Sequence, residues 1–158
     1  MVDYYKQADV NPIGEDRRDH YTFEIGKDLI GEHVTLVGWV HILRDKGKIK
    51  FLILRDERGT TQVTIPKKRV PEQVFEISEN LKPETAVLVK GEVVATDFLP
   101  SGAEVIPSEI RVLNWSETIP IDVVEGKVDI DLDTRLNYRI LDLRKPKVNA
   151  IFRIQHSL

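Results

Sequence analysis

Cysteine is absent from the 158 residues, so neither a disulfide nor a thiolate metal site can form. The four histidines, at 20, 33, 41 and 156, show no metal-ligand spacing, and no metal or cofactor is expected. No stretch nears the ~18 consecutive apolar residues that a membrane helix requires. The amino-terminal region, with Asp3, Lys6, Asp9, Glu15, Asp16, Arg17 and Arg18, lacks the apolar core of a signal peptide. The expected compartment is therefore the cytoplasm, with no membrane partner. Ser-His-Asp sets, paired-carboxylate clefts and phosphate-cradling glycine loops are missing as well, so no catalysis by these residues is expected.

What is there suits one folded domain with extensions. Apolar residues make up 41% of the chain and charged residues 31%, far from the profile of a disordered segment. Abundant Glu, Lys, Ile and Val beside a single methionine suit a thermophile. The net charge is −3, which by itself argues against a polyanionic partner. Its distribution reverses that argument. Between Val40 and Arg69 stand Arg44, Lys46, Lys48, Lys50, Arg55, Arg58, Lys67, Lys68 and Arg69 against Asp45, Asp56 and Glu57, a local excess of six positive charges. Such a footprint attracts anions even on an acidic protein, although a merely solvated charged face has the same composition.

The first 27 residues are polar and aperiodic and read as an irregular arm. From His33 to Arg44, Val34, Leu36, Gly38, Val40 and Ile42 alternate with Thr35, Val37, Trp39, His41 and Leu43, the period of a strand. Gly38 marks a bulge or sharp bend. After the turn at 45–47 comes a strand over 48–55, then the turn Asp56-Glu57-Arg58-Gly59, then a strand over 60–65. Val70, Val74, Ile77 and Leu81 recur at helical spacing, with Pro71 suited to a first turn. Alternation returns over 85–96 and again over 103–114, where Pro107 is expected to interrupt the strand.

The order is β-β-β-α-β-β, an all-β chain with one short helix. It predicts a five-stranded barrel of the oligonucleotide-binding (OB) type, which commonly holds single-stranded oligonucleotides on its first strands and loops. The barrel is assigned to residues 28–116, and residues 117–158 are read as a linker and helical tail. In that tail a capped helix over 133–143 ends before Pro146 and a further helix starts at Val148. The apolar positions of 148–158 offer a surface for a second copy or another partner.

Period 2 also places the candidate site. Leu52 and Leu54 share one face of the second strand, and Val63 and Ile65 share one face of the third. Phe51 and Gln62 then lie on the opposite, outward wall. Exposed aromatics on such a wall stack nucleobases, while a carboxamide offers a donor and an acceptor that match N3–H and O4 of uracil. Arg44 adds a donor or a phosphate contact. The same spacing also allows Phe51 to pack with Ile49 and Ile53 beneath the linker and leaves Gln62 solvated. Trp39, an aromatic after a barrel glycine, is read as core and not as site.

The run Gly38-Trp39-Val40-His41-Ile42-Leu43-Arg44-Asp45, then Lys50-Phe51-Leu52-Ile53-Leu54-Arg55-Asp56, Gly59 and Gln62-Val63, resembles the anticodon-binding domain of the class II synthetases for aspartate, asparagine and lysine. The downstream run from Leu132 to Arg144, with Ala150-Ile151-Phe152-Arg153-Ile154, is most similar to the aspartyl enzymes of archaeal and eukaryotic type. The resemblance implies that the partner is tRNA, bound at its anticodon loop. It further implies that Phe51 stacks on the central uridine, that Gln62 and Arg44 bond to it, and that Glu104 meets a neighbouring anticodon base. Lys46, Lys48 and Lys82 then take phosphates, and His41 and Pro83 tune the reading of the first anticodon base. The Arg-Glu and glycine-rich motifs with which that family's catalytic part grips ATP are not found, so 117–158 is expected to be the start of a catalytic domain that does not follow. Two other readings remain: the first part of an active aspartate-tRNA ligase, and a barrel for single strands or proteins in general.

Overall fold

A computed structural model describes residues 16–124 and 130–157. The arm expected over 1–27 lies outside the described residues as far as residue 15. Its remainder forms 3-10 turns at Thr22–Glu24 and Lys27–Leu29. The chain forms two compact units, residues 1–116 and 117–158.

The first unit is a closed barrel. Its strands are β1 (His33–Asp45), β2 (Ile49–Arg55), β3 (Thr60–Pro66), β4 (Ala86–Ala95) and β5 (Ala103–Asn114), in the order β1-β2-β3-β5-β4 around the wall. A helix, α1 (Glu72–Asn80), lies between β3 and β4 in sequence, as the hydrophobic spacing predicts. All strand pairs are antiparallel except β3 with β5, which closes the barrel in parallel at Val63 and Val105. The interior is filled by the alternate residues that periodicity assigns to it. Val34, Leu36, Val40, Leu52, Leu54, Val63, Ile65, Val87, Val89, Val93 and Val105 are all withdrawn from solvent, a hydrophobic contribution of roughly 1.5–3 kcal/mol for each large side chain.

β1 belongs to both halves of the barrel. Residues 33–39 pair with β4 and residues 39–45 with β2, so Trp39 faces Ala86 on one side and Arg55 on the other. Gly38 permits this change of partner, because a Cβ there would lie 2.4 Å from the carbonyl oxygen of Arg55. The bulge itself falls three residues later, at His41, where the register with β2 slips between Val40 and Ile42. Pro107 does not interrupt β5. The strand runs through it because the register shifts there, between Lys90 and Gly91 of β4, so the missing N–H falls at an irregularity of the ladder. Trp39 is a correction to the sequence reading: the residue is 37% exposed and does not lie in the core. Val34, Leu36 and Val40 point inward, and period 2 turns Trp39 outward with Thr35 and Val37.

The second unit holds α2 (Leu132–Asn137), α3 (Arg139–Asp142) and α4 (Pro146–Ser157). The single helix expected over 133–143 breaks at Tyr138, whose backbone, at φ −111° and ψ 37°, leaves the helical region. Asp131 caps α2 by accepting the Thr134 N–H at 2.7 Å. Asp142 holds Arg135 and Lys145 at 3.1 and 3.0 Å. Pro146 opens α4 and does not merely end what precedes it.

Candidate nucleic-acid interface

In the antiparallel ladder of β1, β2 and β3, residues directly opposite one another project from the same face. Arg44 stands opposite Phe51, Phe51 opposite Thr64, and Ile53 opposite Gln62. Leu52, Leu54, Val63 and Ile65, the alternate positions, are fully buried inside. The ring of Phe51 and the amide of Gln62 therefore share the outer wall, both half-buried, with Arg44 exposed at the side. β5 completes the wall. Its Glu104 accepts a hydrogen bond from Gln62 Nε2 at 2.8 Å and another from the Thr64 hydroxyl at 2.6 Å, and the same Gln62 nitrogen reaches Thr64 Oγ1 at 3.2 Å. Thr64 is a member of the site that the sequence reading did not name. Period 2 from Gln62 was the available signal.

The basic footprint is smaller than the count of charges implies, and it is more sharply placed. Lys50 shares the inward face with Leu52 and is only 2% exposed. Its Nζ lies 3.3 Å from Asp45, 3.6 Å from Glu79 and 4.7 Å above the Phe75 ring. Arg55 is buried too, and its guanidinium bonds to Glu84 at 2.8 and 2.9 Å. Neither charge is available to a polyanion. Lys46 and Lys48 are exposed on the β1–β2 turn, which Gly47 closes at φ +76° while its N–H bonds to Asp45. That bond, followed by burial acting in the opposite sense and by Lys50, leaves the Asp45 carboxyl below its ordinary value. The N–H of Lys67 bonds to the Lys48 carbonyl at 2.9 Å, so exposed Lys67 joins this turn at the end of the barrel where Phe51 lies. The sequence reading counts Lys67 only as one of the nine basic residues of the footprint and does not single it out.

The β4–β5 wall differs. Lys90 and Arg111 are bound there to Asp16 at 2.8 and 2.9 Å and to Glu109 at 3.4 and 2.6 Å. The hydrogen bond to Asp16 is the main cause of a raised Lys90 pKa, and the one to Glu109 of a raised Arg111 pKa. These cations are balanced locally, in contrast to the exposed Lys46 and Lys48 of the β1–β2 turn.

The other expected residues stand apart from the hydrogen-bonded cluster. His41 is half-buried at the β1 bulge. Lys82 and Pro83 are exposed on the segment joining α1 to β4, which bonds to β1 through Glu84 N–H to Val40 carbonyl and Val40 N–H to Thr85 carbonyl, at 2.7 and 2.9 Å. That pairing draws Pro83 toward the neighbourhood of His41.

An outward ring flanked by a fixed amide and by exposed cations is a surface for a flat, anionic, hydrogen-bonding polymer, and such barrels form a class of nucleic-acid-binding domains. The chain belongs to the tRNA anti-codon family of OB-fold nucleic acid binding domains, whose model matches residues 34–113. It is 48% identical over 147 residues to an aspartate–tRNA(Asp/Asn) ligase of Methanococcus maripaludis, and 45% identical over 139 residues to that of Archaeoglobus fulgidus. These matches cover 92% and 87% of the chain but only 33% and 32% of the ligases, so the chain spans about a third of the length of these relatives. Among solved structures, the asparaginyl-tRNA synthetase of Pyrococcus horikoshii complexed with asparaginyl-adenylate is similar with a TM-score of 0.79 at 33% identity, over 89% of this chain and 32% of that one. The shared part is the anticodon-binding region of these synthetases.

Proposed function

We propose that the barrel takes the central uridine of the anticodon of tRNA(Asp), and of tRNA(Asn) as well, onto the ring of Phe51. Gln62 and Arg44 then meet the base edge. The observation that carries this reading is the register itself, which sets Arg44, Phe51 and Thr64 side by side across three strands, with Gln62 one step along. Lys46, Lys48 and Lys82 neutralise phosphates, while His41 and Pro83 bear on the first anticodon base. Similarity to ligases named for both tRNAs supports the choice of partner. The aminoacylation that those ligases perform is assigned to the rest of such an enzyme, with 28–116 as its anticodon-binding barrel and 117–158 leading toward its catalytic part. The cytoplasm is the matching compartment. The exposed Ile151, Phe152 and Ile154 of α4 suit contact with a second copy or another partner, which sedimentation equilibrium would reveal as self-association.

Titration of the chain with an anticodon stem-loop of tRNA(Asp) tests the reading. Phe51→Ala should weaken binding by about 5- to 150-fold, the equivalent of a stacking contact of ~1–3 kcal/mol. Equal binding of parent and variant, or equal binding of random single strands, overturns it.

A further inference from the structure

We infer that Glu104 and Thr64 are positioning residues that lock the amide of Gln62 with its oxygen outward, so that the site selects a base presenting an N–H at that point. This rests on the reading that one base is held over Phe51. A carboxamide nitrogen has two hydrogens. In this barrel the nitrogen lies 2.8 Å from Glu104 Oε2 and 3.2 Å from Thr64 Oγ1, two acceptors on the same side of it, so a hydrogen is committed to the wall and the nitrogen faces Glu104. The threonine hydroxyl spends its own single hydrogen on the same carboxylate oxygen, at 2.6 Å. The three groups thus form a closed triangle of polar atoms that holds the amide nitrogen against the carboxylate. Turning the amide over would set its oxygen 2.8 Å from a carboxylate oxygen, two acceptors with no hydrogen between them. Thr64 is buried, which denies its hydroxyl an easy replacement in water, and an unmade bond there is costly.

The consequence differs from what a free glutamine offers. A solvated carboxamide presents both a donor and an acceptor, and by turning over it serves uracil and cytosine alike. The locked amide holds Oε1 at one fixed point, as an acceptor. Uracil meets it with N3–H. Cytosine carries a lone pair on N3, so acceptor would face acceptor. The carbonyl oxygens beside N3 of uracil need a donor from elsewhere. Arg44, always charged and paired with Phe51 in the ladder, stands on the right strand to supply it. Glu104, expected from family resemblance to touch a neighbouring base, gains a role that requires no contact with RNA at all.

The test is fluorescence anisotropy with the full chain and anticodon stem-loops carrying uridine, cytidine or 3-methyluridine at the centre. The parent should prefer uridine to either substitute by about tenfold or more. Glu104→Gln and Thr64→Val should each bring the uridine-to-cytidine ratio within about threefold of unity. A purely architectural role would weaken all three RNAs together and keep the ratio. Should Glu104→Gln fail to fold, as judged by thermal melting, Thr64→Val decides alone. Variants that fold and retain the parental ratio overturn the inference, while loss of binding in Phe51→Ala would leave the stacking reading intact. A parent without preference for uridine, or a Phe51→Ala variant that binds as the parent does, removes both.

Discussion

The guanidinium of Arg55 donates from one nitrogen to both carboxylate oxygens of Glu84, at 2.8 and 2.9 Å, with both side chains almost wholly out of solvent. This joins the end of β2 to the segment before β4, next to the point where β1 changes partner. Glu84 adopts the left-handed backbone region at φ +67°, which costs a non-glycine residue roughly 1–2 kcal/mol. Two opposing effects can thus be separated by two substitutions. Glu84→Ala leaves a buried cation without this carboxylate and should lower stability by about 3–5 kcal/mol. Glu84→Gly loses the same pair but relieves the backbone, and should be less destabilising by about 1 kcal/mol. Denaturation in urea reads both, and equal losses would show that the backbone is not strained there.

The inward turn of Lys50 makes a prediction about salt. Exposed cations that neutralise phosphates release counterions, so each one removed lowers the slope of log affinity against log salt by about 0.7 to 1. Lys46→Ala and Lys48→Ala should each show that decrease with an anticodon stem-loop. Lys50→Met should leave the slope unchanged, because its ammonium group is held between Asp45, Glu79 and the face of Phe75. A lower slope in Lys50→Met would put that lysine on the RNA and restore the larger footprint that composition implies.

Lys50 also shows where sequence is legible and where it is not. Alternation of apolar residues is a local property, and the five strands, the helix before β4 and the two faces of β2 and β3 follow from it. Lys50 has the parity of Leu52 and Leu54, yet a lysine is rarely buried, and residue type outweighed period in the sequence reading. Trp39 shows the reverse error, since its apolar character argued for the core while its parity argued against it. The pairing of Arg55 with Glu84, across 29 positions, and of Gln62 with Glu104, across 42, depends on which strands become neighbours. That is set by barrel closure, which no window of sequence contains. That Phe51 and Gln62 share the outer wall is recoverable from period alone, whereas the hydrogen bonds that orient the amide are not.

Asp56 ties the segment before β1 to the β2–β3 turn. Its carboxylate accepts the N–H and hydroxyl of Thr22, at 2.7 and 2.9 Å, and the N–H groups of Arg58 and Gly59, at 2.7 and 3.0 Å. Burial pushes its pKa up, but the four hydrogen bonds together outweigh burial and hold it below the ordinary 3.8. A depressed folded pKa means that this contribution is complete at neutral pH, where the carboxyl is ionised in both states, and is lost as pH falls through 3.8 toward the lower folded value. Asp56→Asn should cost about 1.5–3 kcal/mol at neutral pH and should flatten the acid limb of the stability curve. Parallel acid limbs for parent and variant would assign the acid sensitivity to other carboxylates.

Gly38 couples the stability of the barrel to its proposed function. A methyl group at that position would meet the carbonyl oxygen of Arg55 at 2.4 Å and the side chain of Leu54 at 3.3 Å, while at Gly26 its nearest neighbour lies 3.9 Å away. The first clash is with backbone, so it cannot be relieved by a rotamer change. β2 must move away from β1. Phe51 rides on β2 four residues from Arg55, opposite Arg44 of β1, so the displacement alters the spacing between the ring and the cation that are proposed to hold one base. Gly38→Ala should therefore lower stability by about 1–3 kcal/mol and also weaken stem-loop binding under conditions where the variant is fully folded. Gly26→Ala, with space for its methyl group, should leave both nearly unchanged. Calorimetry and anisotropy on the two variants separate the effects, and a Gly38→Ala variant that melts lower yet binds as the parent does would show that the outer wall tolerates movement of the strand beneath it.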